Sequence, residues 1–225
     1  TMRLKSALRR GVAAAVIAGI VVSSGIPAYA ARWDIADGDI TVKAGDAEGT
    51  NRVTQGEKDV EDTNTVITGE SKENTVTIDT SEGNVDVTFD DLKIDVSGKG
   101  EAAVRVEGGG DVTIELDGDN ELKSGAGHAG LEHNKTDTSG ELTIQDKDKN
   151  GSLEAVGGFK GAGIGSAGSN DAQVKITGGN ITATSDDWGA GIGSGSDGTA
   201  YVEITGGEIN ATGGYLGAGI GGGCN

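Results

Sequence analysis

From Val85 to Ile220, apolar residues alternate with polar ones in short bursts, and the bursts recur three to a unit. In the clearest unit the inward set is Val174 and Ile176, then Ile181 and Ala183, then Ala190 and Ile192. The next unit holds Val202 and Ile204, Ile209 and Ala211, Ala218 and Ile220. A period of two places each burst on one face of a strand rather than a helix. The pattern runs backwards with looser spacing through Leu142 and Ile144, Leu153 and Ala155, Ala162 and Ile164. Before these come Val112, Ile114 and Leu116, then Leu122, then Ala129 and Leu131. The earliest clear unit has Val85, Val87 and Phe89, then Leu92, Ile94 and Val96, then Val104 and Val106, which makes five units.

The bursts also repeat in sequence. "GAGIG" begins at Gly161, Gly189 and Gly217, and "ITGG" at Ile176 and Ile204, 28 residues apart each time. Three short strands per unit, with Gly, Asn and Asp at the corners, predict one turn of a solenoid. The expected fold is all-β: a right-handed, three-sided parallel β-helix of about five coils of roughly 28 residues, spanning 66–225. An antiparallel sandwich also has short strands and turns but gives no 28-residue echo. Composition agrees, because a narrow aliphatic column suits Val, Ile and Ala and has little room for rings: aromatics are 3% of the chain and glycines number 42. The single proline, Pro27, lies ahead of every predicted strand, so none interrupts a ladder.

The remaining segments read differently. Arg3, Lys5, Arg9 and Arg10, the apolar run Gly11 to Val22 and "AYA" ending at Ala30 predict a secretory signal peptide over 1–30. Without it, 14 cations face 36 acids, a net charge of −22. Such a chain repels nucleic acid, the Gly11–Val22 run is too short to span a bilayer, and no membrane span is expected after signal removal. Residues 31–65 are acidic and weakly patterned and are expected to be a flexible leader passing into an N-terminal cap. The sequence stops at Asn225, just after a "GAGIG" strand, which predicts an uncapped solenoid end and further C-terminal domains. A lone cysteine, Cys224, rules out an internal disulfide.

"TVTIDTSEGNVDVTFDDLKIDVSGKGEAAVRVEGGGDVTIELDGDNELKSG", Thr75 to Gly125, followed by the "GAGIGS" and "ITGG" repeats, resembles the secreted bacterial carbohydrate-binding domain family of parallel β-helices, found on cell-surface proteins of Gram-positive anaerobes. The resemblance covers about residues 60–225. It implies a non-catalytic β-helix, similar in shape to polysaccharide lyases, that binds acidic polysaccharides with help from calcium.

Several constellations are candidates for that chemistry. In "DKDKNGSLE", Asp146, Asp148, Asn150, Ser152 and Glu154 take alternate places around Gly151, as the first nine positions of a calcium loop do. Position 12 is Gly157, so the bidentate carboxylate is missing, and the competing reading is a lengthened polar corner. Asp86, Asp90, Asp91 and Asp95 lie one coil before Glu115, Asp117, Asp119 and Glu121; stacked carboxylates call for protonation or a cation, or form a solvated acidic face. Phe159, Trp188 and Tyr215 each precede a "GAGIG" strand by one or two residues, so stacking predicts a ragged ring column. Such rings either take sugar faces or shield the corner. Gly163, Gly191 and Gly219 belong to a strip without side chains: a tight corner, a close approach of backbone or ligand, or a tolerated duplication.

Catalytic signals are weak. His128 and His133 in "HAGLEH" lack a metal-protease spacing, and Lys160 is the only candidate base. The rows Glu154, Thr182, Asn210 and Val156, Thr184, Thr212 are too irregular for an ice-binding threonine array. The expected function is therefore a secreted, cell-surface, non-enzymatic binder of polysaccharide, with an adhesive or structural stalk as the alternative and a polysaccharide lyase third.

Overall fold

The computed structural model describes residues 29–224, so all but the last two residues of the expected signal peptide lie outside it. The described residues are all-β, with one short 3-10 turn at Ile35–Asp37 whose Ala36 amide donates to the Asp34 carboxylate. The first strands are β1 (Tyr29–Asp34), β2 (Ile40–Ala44), β3 (Asn51–Gln55), β4 (Lys58–Ser71), β5 (Val76–Asp79), β6 (Val85–Asp95) and β7 (Val104–Glu107). The middle of the chain contributes β8 (Val112–Asp117), β9 (Asp119–Lys123), β10 (Leu131–His133), β11 (Leu142–Gln145), β12 (Ser152–Gly157) and β13 (Ile164–Gly165). The last are β14 (Ala172–Ile176), β15 (Asn180–Ser185), β16 (Ile192–Gly193), β17 (Ala200–Ile204), β18 (Glu208–Thr212) and β19 (Ile220–Gly221).

The strands pair in three parallel ladders. One runs β2, β5, β7, β10, β13, β16, β19. A second runs β1, β4, β6, β8, β11, β14, β17. The third takes the ends of β4 and β6 and continues β9, β12, β15, β18. In the last two rungs the partners are 28 residues apart: Ile164 faces Ile192, which faces Ile220, and Ala183 faces Ala211. The fold is a parallel β-helix.

Every inward residue expected from Val85 through Ile192 is buried. In the last rung Val202, Ile209, Ala211 and Ala218 are half-buried, and Ile204 and Ile220 are exposed, since β17, β18 and β19 have a neighbour on one side only among the described residues.

Residues 31–65 differ from the expected flexible leader. β1 lies parallel on β4, while β2, β3 and β4 form an antiparallel meander. Trp33, Ile35, Ile40, Val42 and Val53 join the same core as the later coils. The fully buried Asp62 carboxylate fastens β1: it accepts from the Ala31 amide (3.1 Å) and the Trp33 indole (2.7 Å). Burying that charge is tolerable because its oxygens are filled by donors.

Candidate functional site

The expected sugar-facing strip is closed. Gly163 and Gly191 are buried, Gly219 is half-buried, and Ala162, Ile164, Ala190 and Ile192 beside them are in the core. A Cβ on Gly163 would stand 2.6 Å from the Gly191 carbonyl oxygen and 2.6 Å from the Thr184 amide nitrogen. Glycine is required because the "GAGIG" backbone lies directly against the backbone of β12 and β15, leaving no space for a side chain. Its last glycine also turns the corner with positive φ: 133° at Gly165, 137° at Gly193 and 130° at Gly221. Both the close-approach and the corner readings hold, at different positions, and these glycines form no docking surface.

The rings are at the surface, but in an altered arrangement. Positions 160, 188 and 216 share one register and one backbone state, with φ of 70° at Lys160, 41° at Trp188 and 65° at Leu216. A left-handed conformation is costly for a bulky residue. Phe159 and Tyr215 belong to the preceding register, where Asp187 occupies the middle coil. The one-residue offset of Trp188 lets its ring reach Phe159, centroid to centroid 5.4 Å at 44°. Tyr215 makes no ring contact among the described residues.

Lys160 completes the corner. Its ammonium lies 5.6 Å from the Phe159 centroid and 5.2 Å from that of Trp188. No carboxylate is within ion-pair distance of it among the described residues, so its charge is spent only on the rings. Phe159 remains 42% exposed, Trp188 36% and Tyr215 70%. Sequence reading assigned Lys160 only the role of a base; the signal for its actual place was its 28-residue register with Trp188.

The calcium loop is the β11–β12 corner. Asp146 accepts from the amides of Asn150 (3.1 Å) and Gly151 (3.2 Å), and the Ser152 hydroxyl donates to Asp119 (2.8 Å). Asp148, Asn150 and Glu154 are exposed, and Asp146, Asp148 and Glu154 do not gather into a three-carboxylate group. Among the described residues, no cluster of three or more His, Cys, Asp or Glu is placed to hold a metal ion. Of the five donors named from the sequence, only the Asp146 and Ser152 side chains make hydrogen bonds in this corner.

Part of the acidic stack is met by donors of the protein itself. Asp90 and Asp117 are ladder partners, and Arg32 bonds Asp90 at 2.6 Å. Asp91 accepts from the Asp119 amide (2.9 Å), and Glu115 accepts from that of Lys147 (2.6 Å). A groove of about 540 Å³ over this face is lined by Asp86, Glu115, Asp117 and Asp148, and its charge disfavours anionic ligands.

The geometry defines the class, a parallel β-helix with an exposed aromatic corner. Residues 174–196 and 202–224 each match the family model described as a beta helix repeat. No curated protein and no solved structure matches the chain. No helix of the described residues is long and apolar enough to cross a membrane.

Proposed function

We propose that this protein is a secreted, cell-surface carbohydrate-binding β-helix that holds an acidic polysaccharide at the Phe159, Lys160 and Trp188 corner without cleaving it. One observation carries the reading: two exposed rings in contact with each other, with an unpaired ammonium above both. Rings supply apolar area for the faces of sugar units, and the ammonium supplies local positive charge for a carboxylated chain on a strongly anionic protein. The scaffold behind it is read as right-handed and three-sided. Three ladders support the sidedness, and the rule that parallel crossovers turn right-handed supports the hand. The coils that the sequence numbers as five begin at β6.

Affinity electrophoresis in gels containing polygalacturonate or a neutral glucan tests the proposal. The polygalacturonate gel should retard the protein, and Phe159→Ala with Trp188→Ala should abolish the retardation. No retardation in any glycan would leave the second reading, a structural or adhesive stalk, which the unbroken ladders favour. Ultraviolet-absorbing unsaturated ends in the same mixture would instead point to a lyase.

A further inference from the structure

The most chemically loaded cavity lies away from the aromatic corner. Glu132 of β10 is the ladder partner of Arg105 of β7, and it is 2% exposed. Both of its oxygens are filled. Oε1 accepts from Arg105 Nε (3.2 Å) and Asn134 Nδ2 (3.4 Å); Oε2 lies 2.7 Å from His128 Nδ1 and accepts from the Ala129 amide (3.3 Å). A buried carboxylate needs such partners, so Glu132 is an orienting group whose capacity is spent.

The groups around it are not spent. The two terminal nitrogens of Arg105 have no partner among the described residues, nor does Nε2 of His128. His133, also 2% exposed, has its Nδ1 buried with no hydrogen-bond partner. Arg105, His128 and His133 line one cavity of about 390 Å³, inside the range of roughly 300–1,000 Å³ common to small-ligand sites. With Nδ1 of His128 directed at a carboxylate, its Nε2 is the ring nitrogen left for a ligand. Burial holds the His133 proton affinity below the usual range, so that ring presents an acceptor. Glu107 stands exposed at the rim, where water screens its charge.

A cationic fork beside two unpartnered ring nitrogens complements one carboxylate beside several hydroxyls. We propose that this cavity binds a single polyhydroxylated carboxylate ring, its carboxylate on the terminal nitrogens of Arg105 and its hydroxyls hydrogen-bonded to His128 and His133. The choice of a sugar acid rests on the carbohydrate-binding reading above, but the site is separate from the aromatic corner. A free sugar acid and the end unit of an acidic chain offer the same chemistry.

The test is a titration with galacturonic acid, trigalacturonate and galactose, following the histidine ring resonances by NMR and the heat by calorimetry. One or both acids should shift the rings of His128 and His133, and galactose should not; which acid binds identifies the source. Arg105→Lys keeps a charge for Glu132 but removes the fork, and should weaken binding about tenfold or more with the fold intact. Arg105→Gln should do the same. Still resonances with both acids at concentrations on the order of 10 mM would overturn the proposal, as would undiminished affinity in Arg105→Lys or equal binding of galactose. Gel retardation by polygalacturonate alongside unmoved rings would sink the cavity and leave the corner standing. Ring shifts that persist without any gel retardation would do the reverse.

Discussion

The two ends of this solenoid close the same kind of ladder with different materials. Up to about residue 116 the interior is filled by bulky side chains: Trp33, Ile35, Ile67, Phe89, Leu92 and Leu116 are all buried. Beyond residue 155 alanine and isoleucine alternate with glycine, and the coil is closed by backbone lying on backbone, as at Gly163 against Thr184. Side-chain packing relaxes only partly around a missing atom, and a carbonyl fixed in a ladder cannot move away from an added one. The first end is therefore vulnerable to removal of atoms and the second to their addition.

The largest expected effect breaks that contrast at its sharpest point. Gly163→Val should cost more than about 4 kcal/mol, because a new Cβ falls within contact of two backbone atoms held in ladders. Gly100→Ala, with nothing within 4 Å of an added Cβ, should stay within about 0.5 kcal/mol of the parent. Denaturant midpoints measure both, and a Gly163→Val protein as stable as the parent would show that the strip is not closed. At the other end, Phe89→Ala should cost about 3 to 5 kcal/mol through the cavity it leaves, and Phe89→Leu much less. If Phe89→Leu proved as damaging as Phe89→Ala, the side-chain end would be no more forgiving than the glycine end.

The same contrast explains what could be read from the sequence. Period-two alternation gave the inward set from Val85 to Ile192 because each coil repeats one pattern of apolar positions at corners of fixed chemistry. The N-terminal meander was missed because antiparallel strands interrupt the period, and because its polar residues go inside. Gln55 donates to the carbonyls of Asp34 (2.7 Å) and Gly38 (3.0 Å), and Asp62 takes the amides of Ala31 and of Asn64 in its own strand. Asn64 aside, those partners are 17 to 31 residues away, with no local signature. The aromatic corner was half legible: the rings were found, but Lys160 emerges only when 160 and 188 are placed in register. Nothing local in the sequence joins Glu132 to Arg105, 27 residues away; the pairing of β7 with β10 does.

A smaller effect concerns pH where the two regimes meet. Burial pushes His133 below its usual value of 6.5, Lys135 pushes the same way, and a hydrogen bond with the Gln173 backbone opposes them. As pH falls through 6.5 the unfolded chain takes up a proton that the folded chain refuses, so stability is lost from there downward until the folded ring titrates. A second loss should follow below about pH 4. The hydrogen bonds from Ser81 and Ser97 hold the carboxyls of Asp79 and Asp95 below 3.8, so their contribution is present above that value and disappears beneath it. Melting temperature against pH should show both steps, and His133→Gln should erase the upper one only. A profile unchanged by His133→Gln would mean that the ring is not held neutral.

The smallest expected effect on stability is the most informative about the corner. Trp188 is held at φ 41°, which costs a non-glycine residue about 1–2 kcal/mol. Its contact with Phe159 and the ammonium of Lys160 returns about the same amount. Trp188→Gly removes strain and contacts together and should leave the melting midpoint within about 1 kcal/mol of the parent. Trp188→Ala loses the contacts but keeps the strain, and should be the less stable of the two by about 1 kcal/mol. Both should lose retardation in polygalacturonate. Equal stability of the two variants would contradict the strained backbone, and retardation by Trp188→Gly would show that the ring serves the fold alone, since a residue that contributes nothing net to stability is otherwise retained at this corner for what it binds.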